Sequence, residues 1–112
     1  DLTDSGTVTV AGTAGFTTLA DDAIINLDTL AVAGKIALTT TDSTGNNSNA
    51  TIVNTTAVDL NTSSVKGNLS ATATTGNLTD SGTVTSTGTG TFITLADDAD
   101  IDLAVEGIPP GK

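Results

Sequence analysis

Twelve aspartates and one glutamate carry nearly all the titratable chemistry of this 112-residue chain. It has no His, Cys, Tyr, Trp, Met, Arg or Gln, and only three Lys. Acid–base and nucleophilic catalysis rest on His or on an activated nucleophile with an orienting partner. Here only Lys35, Lys66 and Lys112, beside carboxylates and hydroxyls, are available to build one, and the composition reads as non-enzymatic. The aspartates are nonetheless patterned. Asp21-Asp22 recurs as Asp97-Asp98, and Asp98, Asp100 and Asp102 alternate, so on a strand they would line one face. Three carboxylates so spaced suit Ca²⁺, a hard cation that takes six to eight oxygens. The first copy has Ile24 and Asn26 where the second has Asp100 and Asp102. The preferred reading is a solvated acidic turn with no cofactor, and calcium is the alternative.

Asparagine supplies a second pattern. Asn46, Asn49, Asn54, Asn61, Asn68 and Asn77 each open an Asn-X-Ser/Thr triplet, the acceptor pattern for N-glycosylation. Asn beside abundant Thr produces such triplets by chance, and in-register Asn at the turns of stacked coils forms side-chain ladders. Chance or the ladder is preferred. Asn46 and Asn49, on the longest loop, are the best glycosylation candidates. Gly107-Ile-Pro-Pro-Gly-Lys112 lacks the spacing and the Ser/Thr of a phosphate loop. It reads as a Pro/Gly-rich linker or docking tail over 105–112.

The elements that must position these residues are short strands. Thr, Ser, Asn and Gly make up 53 of the 112 residues; β-branched Thr favours strands, and Gly, Asn and Asp favour turns. Apolar residues alternate at Val8/Val10, Ile25/Leu27, Ile36/Leu38, Val58/Leu60, Leu69/Ala71/Ala73 and Ile101/Leu103, the signature of half-buried strands. Residues 1–28 return at 77–104 with 19 identities in 28 pairs, at a spacing of 76. Such self-similarity marks an architecture built by stacking. The turns divide the chain near Asp22, Asn49, Asn77 and Asp98, giving coils of roughly 19–27 residues, one turn of a parallel β-helix each. The expected fold is all-β: a parallel β-helix of about five coils forming one domain over 1–104, with a β-sandwich as the alternative. Two Phe residues are few for a sandwich core. As equivalent repeat positions, Phe16 and Phe92 are each expected to plug a corner of a coil.

The phrases Gly67-Asn-Leu-Ser-Ala-Thr-Ala-Thr-Thr-Gly76-Asn-Leu-Thr-Asp-Ser-Gly-Thr-Val84 and Ala57-Val-Asp-Leu-Asn-Thr-Ser-Ser-Val-Lys-Gly67 resemble the repeats of giant filamentous-haemagglutinin-type surface adhesins. The segment from Gly6 to Phe16, then Ala23 to Leu27, follows the same order, and the resemblance spans about residues 1–104. It implies a right-handed parallel β-helix, secretion and a role as a stiff surface fibre. It brings no catalytic residues.

A net charge of −10 offers no basic stripe for nucleic acid and does not favour an anionic membrane surface. No apolar run approaches the length of a membrane-spanning helix. The chain opens mid-repeat on Asp1 without a methionine and reads as a processed product or a segment of something longer. A solenoid without caps leaves strand edges at both ends, which invite pairing. Here these edges involve Leu2, Val8 and Val10 at one end and Ile101 and Leu103 at the other. The leading expectation is a structural subunit or segment of an extracellular or cell-surface filament, its partner another copy stacked end to end. A stalk fragment of a large adhesin is the alternative, and a carbohydrate-active β-helix enzyme is a distant one.

Overall fold

The computed structural model describes residues 1–103. The expected tail at 105–112, with Gly107–Lys112, lies outside the described residues. Every described element is a strand, and every strand pairing is parallel. Coil one holds β1 (Leu2–Thr3), β2 (Val8–Val10) and β3 (Ala14–Thr18). Coil two holds β4 (Ile25–Val32) and β5 (Lys35–Thr40). Coil three holds β6 (Ala50–Asn54), β7 (Val58–Leu60) and β8 (Ser63–Val65). Coil four holds β9 (Leu69–Ala73), β10 (Leu78–Asp80) and β11 (Val84–Ser86), and coil five holds β12 (Gly90–Thr94) and β13 (Ile101–Asp102). One sheet stacks β1 and β2 against β4, then β6, β9 and β12; the other stacks β3 against β5, then β7 with β8, β10 with β11, and β13. The result is a β-solenoid of about five turns. The antiparallel Greek-key sandwich is excluded, because its hairpins would require antiparallel ladders.

Alternation creates the core. In each strand one set of side chains points between the sheets, and these form columns along the axis. In the first sheet Leu2, Ile25, Ala50, Leu69 and Gly90 share one column, and Leu27, Ile52, Ala71 and Phe92 share another. Large and small residues alternate, so the narrow interior fills without crowding. Ile25, Leu27, Leu30, Ile36, Leu38, Ile52, Leu60, Leu69 and Leu78 are all essentially inaccessible.

Polar residues close the gaps in the ladders. Between Leu27 and Leu30 the register of β4 shifts. There the Asp4 carboxylate, one coil below, accepts the Asp28 amide at 3.2 Å and the Thr29 amide at 3.0 Å. Asn54, fully buried, acts as an extra peptide unit. Its Oδ1 accepts the Val32 amide at 2.8 Å, and its Nδ2 donates to the Val32 carbonyl at 2.9 Å and the Ala57 carbonyl at 2.7 Å.

The phase of the coils differs from the expected division. Coils start on the first sheet at Leu2, Ile25, Ala50, Leu69 and Gly90. The expected third coil from Ala50 to Asn77 therefore ends early, and Leu78 opens a second-sheet strand in mid-coil. Offsets between neighbouring strands range from 25 residues (Ile25 to Ala50) down to 19 (Ala50 to Leu69). The long loop at 41–49 swells one coil, and the tight corners of coil three shorten the next. As a consequence the 76-residue repeat spans three and a half coils. Its first copy lies on the first sheet (β1, β2), then the second (β3), then the first (β4); its second copy occupies the second sheet (β10, β11), then the first (β12), then the second (β13). Val8 is likewise neighbour to Leu30 rather than to Ile25.

The two Phe residues are not at corners. Phe16 lies within β3 and Phe92 within β12, the outermost strands of opposite sheets at opposite ends. Both are half-buried and pack on the core. An aromatic ring exceeds what the interior columns hold, and the end coils provide the room.

Candidate assembly faces

The residues singled out for self-assembly separate into two faces. Leu2, Val8 and Val10 lie in β1 and β2, which pair only with β4 above them among the described residues. All three are half-buried against the core cluster. At the other end, Ile101 is 47% exposed in β13, and Leu103 packs partly on the core. Phe16 and Phe92, read from the sequence only as fillers, belong to these faces. A pair of bulky residues confined to the outermost copies of a repeat is the signal that identifies them.

The acidic turns take a structural part. Leu-Ala-Asp-Asp-Ala at 19–23 and at 95–99 forms the same turn twice. The Ala23 amide donates to the Ala20 carbonyl at 3.3 Å, and the Ala99 amide to the Ala96 carbonyl at 3.4 Å. Asp22 and Asp98 both adopt left-handed backbone, φ 62° and 61°, a conformation Asp accepts more readily than most residues. The turn exposes Leu19 (79%) and Leu95 (62%). In the first copy Asp21 accepts the Ser43 amide at 2.7 Å and the Ser43 hydroxyl at 2.8 Å, tying the 41–49 loop to the coil below. The expected carboxylate face at Asp98, Asp100 and Asp102 does not form. Only Asp102 lies in a strand, because the left-handed Asp98 turns the chain before β13 begins. Among the described residues no three acidic side chains gather as a metal-holding group.

The asparagines divide by role. Asn49 Oδ1 accepts the Asn68 amide and Asn68 Oδ1 accepts the Thr89 amide, each at 2.8 Å. Asn77 Oδ1 accepts the Asp100 amide at 2.9 Å, and its repeat counterpart Asp1 accepts the Ile24 amide at 3.0 Å. These side chains form a ladder at the point where each coil enters a strand. Asn54 is buried, whereas Asn46 is exposed on the loop and Asn49 is half-exposed beside it.

Two carboxylates are poised electrostatically. Asp42 anchors the loop: it accepts the Asn47 amide at 2.9 Å, and the Thr44 and Gly45 amides at 3.0 Å each. The Asn47 bond is the largest influence; with the Thr44 and Gly45 bonds it outweighs burial and holds the carboxyl below its ordinary value. For Asp4 burial is the largest influence and pushes upward, but the Thr29 and Asp28 hydrogen bonds together bring the carboxyl below its ordinary value. A folded pKa below the unfolded one contributes stability above the unfolded value, near about 4, and that stability is lost as pH falls through the folded value. The thermal midpoint is therefore expected to be flat from pH 7 to 5 and to drop below about pH 4. Asp42→Asn should flatten part of that acid-side drop in melts followed by circular dichroism. An equally steep drop in the variant would remove Asp42 as its source.

Among the described residues no helix is long and apolar enough to cross a membrane. Comparison with curated proteins and with solved structures gives no match. A family model described as repeats of unknown function, DUF5649, matches residues 47–107, more than half of the chain, and the chain belongs to that family.

Proposed function

We propose that this chain is a structural unit of an extracellular filament that grows by coaxial stacking of β-solenoid ends. One observation carries the reading. Leu2 and Val8, half-exposed in coil one, recur as Leu78 and Val84 in coil four, where they are 0% and 3% exposed. The same residues complete their burial only where another coil lies beneath them. Burying such side chains fully is worth about 1.5–3 kcal/mol each, and the open ladder edges add hydrogen bonds in register. A head-to-tail contact of this kind does not close on itself and gives a fibre. The acidic surface keeps the fibre's sides apart. The resemblance to filamentous-haemagglutinin-type repeats supports a surface setting.

Negative-stain and cryo-electron microscopy of the concentrated protein test this. The expected result is fibres with a strong axial reflection near about 4.8 Å, the spacing of strands crossing the axis. Dispersed monomers at millimolar concentration would refute it. The reading as a stalk of a larger adhesin is favoured by a separate observation: residues 77–103 already continue the stack covalently with a second copy of the repeat. The intact mass of the native product separates the two. A mass near 10.9 kDa supports the subunit, and a much larger one supports the stalk.

A further inference from the structure

Four glycines in equivalent positions of the repeat have opposite surroundings. Gly82 and Gly88 sit tightly on the coil below. A Cβ on Gly82 would collide with the Thr62 amide nitrogen, and one on Gly88 with Asn68 Oδ1 and the Gly67 carbonyl. Their counterparts Gly6 and Gly12 have nothing within 4 Å of the same position. None of the four has a positive φ that would require glycine. Within the described chain, neither space nor backbone conformation explains Gly6 and Gly12. A coil pressed against them from below explains both.

The rest of the segment fits the same surface. β7, β8 and β9 carry β10, β11 and β12, with Leu78 on Val58, Thr79 on Asp59, Asp80 on Leu60, Val84 on Ser63, Thr85 on Ser64, and Phe92 on Ala71. All six upper residues recur unchanged, as Leu2, Thr3, Asp4, Val8, Thr9 and Phe16. Asn77, whose side chain caps the next coil, is matched by Asp1, which does the same. Thr89, whose amide reaches Asn68 Oδ1, is matched by Thr13. The main departure is Ser86, whose hydroxyl donates to the Gly67 carbonyl at 2.8 Å. Its counterpart Val10 replaces that bond with apolar contact on Val65.

We infer that the surface of β7, β8 and β9 accepts residues 1–18 of a second copy in place of the chain's own residues 77–94. This rests on the coaxial-stacking reading above and specifies its joint. The exchange replaces one ladder by a nearly identical one, which makes domain swapping a low-cost route to assembly. The half-turn phase of the repeat then sets the geometry. Each added unit advances three and a half coils, about 17 Å at the ordinary strand spacing, and presents its repeat on the opposite sheet. The covalently tethered residues 77–103 hold the site at an effective concentration in the millimolar range, so they act as an internal plug that a second copy must displace.

Cross-linking of the 112-residue chain tests the joint. Thr9 and Ser64 are both exposed, but within one chain they lie on different sheets two coils apart. In the exchanged joint they become direct neighbours, as Thr85 and Ser64 are now. A Thr9→Cys chain is mixed with a Ser64→Cys chain and treated with a short bismaleimide. The expected result is a mixed dimer whose yield rises with concentration. The yield should rise at least fivefold when the Ser64→Cys chain also carries Leu78→Asp and Val84→Asp, which loosen the plug. It should disappear when the Thr9→Cys chain carries Gly6→Ala and Gly12→Ala, although that chain's own melting is unchanged. If the doubly charged acceptor does not fold, the concentration series on the unaltered acceptor decides alone. A Thr3→Cys and Thr91→Cys pair reports the other joint, in which β1 rests directly on β12. Cross-linking there and not at 9/64 overturns the exchange and leaves the filament reading intact. Cross-linking at neither pair overturns both.

Discussion

Asn54→Leu is expected to destabilise the protein by about 3–5 kcal/mol, although it exchanges a polar core residue for an apolar one of similar size. The Asn54 amide holds the Val32 amide and carbonyl and the Ala57 carbonyl in a site with no solvent access. Leucine would strand all three. Each buried unsatisfied backbone group costs about 1–3 kcal/mol, and the apolar burial regained offsets only part of that. Thr56 relieves one acceptor, since its hydroxyl also donates to the Val32 carbonyl at 3.2 Å; this keeps the expected value below the full sum. Asn68→Leu provides the comparison. Asn68 is exposed and its side chain holds a single amide, that of Thr89, which water can reach, so a loss of about 1 kcal/mol is expected. Urea midpoints at constant slope measure both. Equal losses at the two sites would show that Asn54 is tolerated in the core and not required by it.

That contrast marks where the sequence was legible. Wherever an inward column is apolar, the alternation of Val, Ile, Leu and Ala located the strand: Val8–Val10, Ile25–Leu27, Ile36–Leu38, Val58–Leu60 and Leu69–Ala73 all fall in observed strands. Strands with polar inward residues were missed. β8 turns Ser63 inward and β11 turns Ser86 inward, both buried. β3 and β6 end on the buried Thr18 and Asn54. Such residues carry no apolar signal; they are accommodated because each hydroxyl or amide finds a backbone partner within the solenoid. The repeat was visible as identity, but its half-turn phase was not. Phase depends on coil length, and coil length depends on loops such as 41–49, whose shape is set by the Asp42 carboxylate rather than by any periodicity. For the end faces, Leu2, Val8 and Val10 could be named from their position. Phe16 and Gly12 could not, because their meaning appears only when each is compared with its counterpart in the other copy.

The same comparison gives the second large effect, in which one substitution made at matched positions yields opposite results. Gly88→Ala places a methyl group against Asn68 Oδ1 and the backbone of Gly67. The Gly88 amide donates to the Gly67 carbonyl at 2.8 Å, so the coil cannot back away without breaking the ladder. Overpacking of a well-packed site costs about 1–3 kcal/mol, and losing the Asn68-to-Thr89 hydrogen bond adds about 1 kcal/mol. Gly88→Ala is therefore expected to lower stability by about 2–4 kcal/mol. Gly12→Ala, at the counterpart position, meets open space and no positive φ. It restricts the unfolded chain and is expected to be neutral or to stabilise by about 0.4–1 kcal/mol. Thermal and urea melts at micromolar concentration, where chains are separate, measure both. A loss at Gly12 as large as at Gly88 would mean that coil one already rests on something in the isolated chain. Opposite signs would mean that glycine at position 12 serves a contact the single chain does not make, since its own fold is no worse, or is better, without it.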